Sequence, residues 1–152
     1  LHAERGGLLA RQGKLDTAIL AYEKSLELSP KAPDVWISLG QILLKRGRLV
    51  DARKAYEKAL EADPRSGEAH YQLGLYHLEQ KNQDEGLRAL LRAMELDPKH
   101  AMAHYRAAQV LERKERFPEA LRAYEKAWGL DLPLELQKDC AEQVDVLKAR
   151  AP

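Results

Sequence analysis

Three phrases that end in proline recur along the chain: SLELSP at 25–30, ALEADP at 59–64 and AMELDP at 93–98. Their prolines, Pro30, Pro64 and Pro98, are each 34 residues apart, and a fourth phrase, AWGLDLP, ends one residue late at Pro133. Other positions keep the same spacing: Gly6, Gly40 and Gly74 with Ala108 in the fourth place, and Tyr22, Tyr56 and Tyr124 with Leu90 in the third. A fixed period of this length indicates an array of structural repeats.

Each period contains two amphipathic stretches with apolar residues at helical spacing. In the second period the first stripe is Trp36, Leu39, Leu43 and Leu44, and the second stripe is Ala52, Tyr56, Ala59 and Leu60. Gly47 separates them, as Gly13 does one period earlier; glycine tolerates the left-handed turn that ends a helix. The proline at the end of each phrase disfavours helical geometry in the residue before it. The sequence therefore predicts a helix–turn–helix unit in each period.

This pattern resembles the tetratricopeptide repeat family. The residues that carry the resemblance are Trp36, Leu39, Gly40, Leu43, Ala52, Tyr56, Ala59 and Pro64. The resemblance implies an all-α fold, an α-solenoid of tandem helix–turn–helix repeats with about eight repeat helices. We assign four repeats within residues 1–133, namely 1–32, which starts inside its first helix, 33–66, 67–100 and 101–133.

Residues 134–152 depart from the repeat and are predicted to form a C-terminal capping helix and tail. Leu136, Cys140, Val144 and Leu147 share one face of that helix, and charged residues cover the other face. A terminal helix with a polar outer surface protects the last hydrophobic face of a repeat array.

In the third repeat, Gly86 lies inside the second helix, so we expect that helix to be the loosest.

Composition excludes several classes of function. The 25 basic and 24 acidic side chains nearly cancel and are interspersed, which is typical of a solvated helix surface and not of a nucleic-acid binder. No apolar run approaches the ~20 residues needed to cross a bilayer. The single cysteine, Cys140, excludes an internal disulfide framework and slightly favours the cytoplasm, although the compartment stays unknown.

The sequence predicts no catalytic residue, no metal site and no cofactor. No nucleophile elbow, phosphate loop or paired-carboxylate motif occurs. His70 and His104 occupy the place of Trp36 in their repeats, and His77 occupies the place of Leu43. We therefore expect packing histidines instead of metal ligands. Cys140, on the apolar stripe of the last helix, is expected to be a small core residue and not a reactive thiol.

The family resemblance also implies a binding groove, because the first helices of successive tetratricopeptide repeats line a concave surface that receives peptides or helices. We expect Tyr71 and Tyr105, one period apart, to project side by side onto it from outside the packing positions. The alternative is that surface Tyr and Met side chains merely cover neighbouring helices. The predicted groove residues are Gln41, Leu44, Lys45, Tyr71, Gln72, Leu75, Glu79, Met102, Tyr105, Arg106, Gln109 and Arg113.

The sequence therefore predicts a scaffold that binds other proteins or peptides. The runner-up is a self-association module of a larger assembly, and we expect weak self-contact. A third hypothesis, RNA binding by a helical repeat, is disfavoured by the missing basic surface. Some family members clamp a C-terminal carboxylate with a Lys, two Asn, a Lys and an Arg at set repeat positions. In the second to fourth repeats those positions are Ile37, Gln41, Gln72, Met102 and Arg106, so the set is absent and we do not predict chaperone-tail binding.

Overall fold

A computed structural model describes residues 1–150, and the predicted tail at 151 and 152 lies outside that range. Within it the chain is all helix and turn, with no strand. The helices are α1 (His2–Arg11), α2 (Leu15–Leu28), α3 (Pro33–Lys45), α4 (Leu49–Ala62), α5 (Gly67–Glu79), α6 (Gln83–Leu96), α7 (Ala101–Arg113), α8 (Phe117–Trp128) and α9 (Leu134–Arg150). The predicted all-α repeat fold is confirmed.

The helices pack in the order in which they follow along the chain. The pairs α1/α2, α3/α4, α5/α6 and α7/α8 form helical hairpins, and each hairpin contacts the next. The first helices of neighbouring hairpins also touch, α1 with α3 and α3 with α5. This arrangement places successive first helices side by side, which is the geometry that a groove along them requires.

A close approach between helices explains the periodic glycines. A Cβ built on Gly40 would lie 2.5 Å from the Tyr56 ring, a distance that no real Cβ adopts. Gly6 meets the Tyr22 ring at 3.0 Å, and Gly74 meets the Leu90 side chain at 3.0 Å. Each of the first three hairpins is therefore held by a large side chain of its second helix seated on a glycine of its first helix.

The aromatic ring at the start of the first helix ties each repeat to the preceding turn. Trp36 Nε1 donates to the carbonyl oxygen of Pro30 at 2.8 Å. His70 Nε2 lies 3.2 Å from the Pro64 oxygen, and His104 Nε2 lies 3.0 Å from the Pro98 oxygen. Since a carbonyl only accepts, both imidazoles carry their proton on Nε2. The two histidines thus replace tryptophan in a packing contact.

The turns between the two helices of each repeat share one backbone conformation. Gly13 and Gly47 both have φ of +75°, which confirms the left-handed turn expected of them. The same place in the third and fourth repeats is taken by Lys81, with φ of 60°, and Glu115, with φ of 57°. Sequence reasoning missed these two, because neither residue type signals a left-handed conformation.

Gly86 also has a packing role, which the prediction of a loose α6 did not take into account. A Cβ there would lie 2.5 Å from the Leu78 side chain and 3.2 Å from the carbonyl oxygen of Gly74. The glycine therefore allows α5 and α6 to approach closely. The looseness of α6 stays a prediction.

The last helix closes the core in the way the sequence predicted. Cys140, Val144 and Leu147 are fully buried, and Leu136 packs against them as a partly buried neighbour. Burial, together with the nearby charge of Asp139, raises the pKa of the Cys140 thiol to about 11. Cys140 is a core residue, as expected, and its thiol is held in the protonated, weakly nucleophilic form.

The shared turn conformation generates a prediction about stability. A left-handed conformation costs a non-glycine residue ~1–2 kcal/mol, so a glycine at that position relieves this strain. Part of the stability gained is lost again, because glycine has more backbone entropy in the unfolded chain. Lys81→Gly and Glu115→Gly should therefore each raise the free energy of unfolding by about 0.5–1 kcal/mol, as measured by urea denaturation.

Gln80→Gly is the matched control, because Gln80 precedes Lys81 and has an ordinary φ of −78°. It adds entropy to the unfolded chain and relieves no strain, so it should lower stability. Destabilisation by all three variants would contradict a strained turn.

Candidate functional site

Two surface clefts lie along the first helices. The first, of about 430 Å³, is bounded by α3 and α5, with one residue of α4 at its floor. Lys45 and Glu79 are exposed at this cleft, and the other lining side chains are partly or fully buried. Five of its six residues belong to the predicted groove, and the sixth, Tyr56, does not. The lining is Gln41, Leu44, Lys45, Tyr56, Gln72 and Glu79.

The second cleft, of about 660 Å³, lies between α7, α8 and α9. It brings together three predicted groove residues, Arg106, Gln109 and Arg113, with residues that the sequence analysis did not select. Those additional residues are Glu112, Glu115, Phe117, Tyr124, Asp139, Gln143 and Arg150.

Continuing the repeat period into α9 would have found part of this second cleft. Asp139 follows Tyr105 by one period, and Gln143 follows Gln109 by one period. Because α9 departs from the repeat motif, it was interpreted as a cap alone. The structure shows that the inner face of α9 also lines the cleft, as the first helix of a further repeat would.

The expectation that Tyr71 and Tyr105 stand outside packing positions is wrong. Only 7% of Tyr71 and 5% of Tyr105 is exposed. The Tyr71 ring lies 4.4 Å from the His100 ring, and the Tyr105 hydroxyl donates to Asp139 at 2.8 Å. Tyr71 therefore packs against the N-cap of α7, and Tyr105 packs against α9.

Two further predicted residues, Leu75 and Met102, are also partly buried against the core. For these four side chains the alternative left open by the sequence, that they cover neighbouring helices, describes their packing. Burial, followed by the hydrogen bond to Asp139, raises the pKa of the Tyr105 hydroxyl to about 12. At neutral pH the hydroxyl keeps its proton and remains a donor.

A chain of hydrogen bonds leads from the junction of the third and fourth repeats into the first cleft. The His100 Nε2 nitrogen lies 2.8 Å from a carboxylate oxygen of Glu68, and Gln72 Nε2 donates to the other oxygen at 2.7 Å. His100 Nδ1 accepts the backbone N–H of Ala103, which caps α7. The hydrogen bond from His100 lowers the pKa of the Glu68 carboxyl, so Glu68 is a carboxylate that only accepts.

Two polar atoms that line the clefts are buried without a hydrogen-bond partner among residues 1–150. One is Nε of Arg106, whose Nη1 donates to Gln109 at 3.1 Å. The other is the hydroxyl of Tyr56, a residue that is fully buried. Burial, reinforced by the charges of Glu79 and Glu68, raises the pKa of that hydroxyl. Buried polar atoms are rarely left unpaired, so these two groups call for an explanation.

The described part of the chain offers little to a metal or a membrane. No group of three or more His, Cys, Asp or Glu side chains within residues 1–150 is placed to hold a metal ion. Over the same range, none of the helices combines the length and the apolar character needed to cross a bilayer.

The family model described as tetratricopeptide repeat matches three overlapping segments, residues 4–67, 37–98 and 71–131. Proteins built from these repeats are protein-interaction scaffolds, and the fold is typical of non-catalytic proteins. Comparison with curated protein sequences gives no match.

Solved structures with the same fold include MamA and YrrB. A MamA crystal structure is 25% identical with a TM-score of 0.76, and the match covers 96% of this chain and 78% of that one. A MamA fragment from Desulfovibrio magneticus RS-1 is 25% identical with a TM-score of 0.71, over 91% and 75% of the two chains. YrrB, described as having an unusual peptide-binding site, is 24% identical with a TM-score of 0.75, over 98% and 75%.

The burial of the two tyrosines leads to a prediction. Tyr71→Ala and Tyr105→Ala should each lower the free energy of unfolding by about 3–5 kcal/mol, the usual cost of truncating a large aromatic side chain in a core. Denaturant unfolding monitored by circular dichroism measures the change.

Tyr105→Phe is the control, because it keeps the ring and removes only the two hydrogen bonds of the hydroxyl, which donates to Asp139 and accepts from Gln109; it should cost about 1–3 kcal/mol. If both alanine variants are as stable as the natural sequence, then the rings do not carry the packing described above.

Proposed function

The chain belongs to the tetratricopeptide repeat family, and from this premise we propose that it is a non-catalytic scaffold that binds a segment of another protein along its first helices. The observation that carries the proposal is the clustering of predicted groove residues. Eight of the twelve line the two clefts, five in the first and three in the second. The remaining four support those residues from within the core.

The chemistry of the clefts favours a ligand with both polar and charged groups. The first cleft combines two amide side chains with Lys45 and Glu79, and the second contains both arginines and acids. Mixed charge of this kind sets specificity and orientation more than affinity. YrrB, whose fold this chain shares, is described as having a peptide-binding site; the proposal for this chain rests on its own residues.

Nucleic acid is the less suitable partner, because the chain has a net charge of only +1 and both signs are mixed along its helices. No basic stripe is available to neutralise successive phosphates. We therefore propose protein or peptide ligands only.

Self-association is a second candidate, favoured by apolar exposure on the first hairpin. Leu8 is 50% exposed and Leu20 is 65% exposed. Leu20 also lines a cleft of about 410 Å³ between α1 and α2. Exposed leucines beside such a cleft provide a contact surface for a second copy of the chain.

Selection from a random-peptide display library tests the scaffold proposal. A family of related peptides should be enriched on the natural protein. Lys45→Glu combined with Arg113→Glu should weaken binding of those peptides by roughly tenfold or more, since charge reversal in both clefts opposes the selected complementarity.

Lys54→Glu is the matched control, because it reverses an exposed lysine on a second helix, α4, away from both clefts. It should bind the selected peptides normally. The proposal fails if no related peptides emerge, or if the double variant binds them like the natural protein.

Light scattering tests self-association. The natural protein should show a weak rise in mean mass with concentration, and Leu8→Glu with Leu20→Glu should abolish the rise by placing charge in the contact. A tight dimer at micromolar concentration would place self-association above the scaffold function. A constant monomer mass in the natural protein would remove this second candidate.

A further inference from the structure

We propose that the first cleft contains a subsite for a single peptide unit of the ligand, formed by the Tyr56 hydroxyl and the side-chain amides of Gln41 and Gln72. The subsite deepens the proposed function and rests on it, because a peptide backbone is the ligand that it would recognise. It assigns binding chemistry to Tyr56, a residue that the repeat pattern alone identifies as core.

The argument starts from the unpaired hydroxyl. Tyr56 is fully buried, its ring is seated on Gly40, and its hydroxyl has no hydrogen-bond partner within residues 1–150. The same residue lines the first cleft. The ring therefore serves the fold, while the hydroxyl is an unused, buried donor of a residue that lines the cleft. Unpaired buried donors are costly, so a ligand acceptor that reaches this point gains more than it would from an exposed donor.

A tyrosine in this place can be paired internally, so the unpaired hydroxyl does not follow from the position alone. In the fourth repeat Tyr124 occupies the same place, and its hydroxyl donates to a carboxylate oxygen of Glu112 at 2.9 Å. Two periods before Glu112 stands Leu44, which cannot accept a hydrogen bond. The second repeat therefore keeps the donor and lacks the internal acceptor.

Gln72 supplies the complementary acceptor. Its Nε2 donates to Glu68, whose carboxylate is itself paired with His100. Because a carboxylate accepts and does not donate, the nitrogen end of the amide must face Glu68. The carbonyl oxygen of Gln72 is then free to accept, and it belongs to a side chain that lines the cleft.

A peptide unit matches this pair of groups, since it offers one carbonyl acceptor and one N–H donor. The ligand carbonyl would accept from Tyr56, and the ligand N–H would donate to Gln72. Gln41 also lines the cleft. Its side-chain amide can both donate and accept, so it can replace water as the partner of the ligand carbonyl or the ligand N–H. A ligand carboxylate is a poor match, because Glu79 lines the cleft and the Glu68 carboxylate lies beside it.

The test uses a small probe whose binding does not depend on a selected peptide. N-acetylalanine N-methylamide, a blocked residue with two peptide units, is titrated into the protein and followed by the side-chain amide resonances of Gln41 and Gln72. Saturable shifts centred on these two groups are expected.

Tyr56→Phe should weaken probe binding roughly five- to tenfold, the effect of one neutral hydrogen bond. N-acetylproline N,N-dimethylamide, which offers carbonyl acceptors and no N–H, should bind more weakly than the probe.

Tyr22→Phe is the matched control, because Tyr22 occupies the same place in the first repeat and lines neither cleft. It should leave probe binding unchanged, and Tyr56→Phe should keep or raise thermal stability. Propionamide, a primary amide, represents an Asn or Gln side chain as the ligand group. Tighter binding of propionamide than of the probe would overturn the assignment to the peptide backbone.

Other outcomes also overturn the subsite. Absence of saturable shifts at Gln41 and Gln72, or equal probe binding by Tyr56→Phe, would mean that the hydroxyl does not contact the ligand. A loss of stability in Tyr56→Phe without a change in probe binding would mean that a fixed water molecule satisfies the hydroxyl. In either case, related peptides selected on the natural protein and lost in the charge-reversed variant would leave the scaffold function standing. If the probe binds but no related peptides are selected, the scaffold function fails and the subsite stands.

Discussion

The contact between Gly40 and the Tyr56 ring sets how closely the two helices of the second hairpin can pack. A Cβ at position 40 would lie 2.5 Å from the ring, so the two helices of the hairpin approach as closely as backbone and aromatic ring allow. Similar contacts recur at Gly6 and Gly74. Because the first three hairpins are closed in this way, the next can stack on each of them, and the first helices align into the surface that carries both clefts. The Tyr56 ring thus fixes the hairpin geometry, and its buried hydroxyl belongs to a residue that lines the first cleft.

The contact that joins one repeat to the next tolerates more chemical variation. A ring N–H donates to a proline carbonyl in each case, but the ring is indole at Trp36 and imidazole at His70 and His104. What the junction requires is a flat ring with a donor at its far end. Burial lowers the pKa of His104, which keeps that ring in the neutral form that the junction uses. Histidines in this role belong to the scaffold, in agreement with the sequence interpretation.

The helices, the hairpin glycines and the buried face of α9 could be predicted from the sequence, because each follows from a periodic pattern of residue types. The burial of the Tyr71 and Tyr105 side chains could not be predicted in this way. Their partners, His100 and Asp139, lie about one period further along the chain, so burial depends on how tightly neighbouring repeats stack. The left-handed conformation of Lys81 could not be predicted for another reason: the turn imposes it, and the type of side chain does not indicate it.

Binding chemistry in such an array arises where one repeat departs from the others. Tyr56 and Tyr124 occupy the same place and bury the same ring, so the fold does not distinguish them. Glu112 pairs the hydroxyl of Tyr124, whereas Leu44, two periods earlier, leaves the hydroxyl of Tyr56 without a partner. One change on the neighbouring helix therefore leaves a buried donor unpaired, without altering the packing that closes the hairpin. Comparing equivalent positions for polar groups that are paired in one repeat and unpaired in another finds such a residue, whereas repeat position on the first helices selected Lys45 and Glu79 and did not include Tyr56.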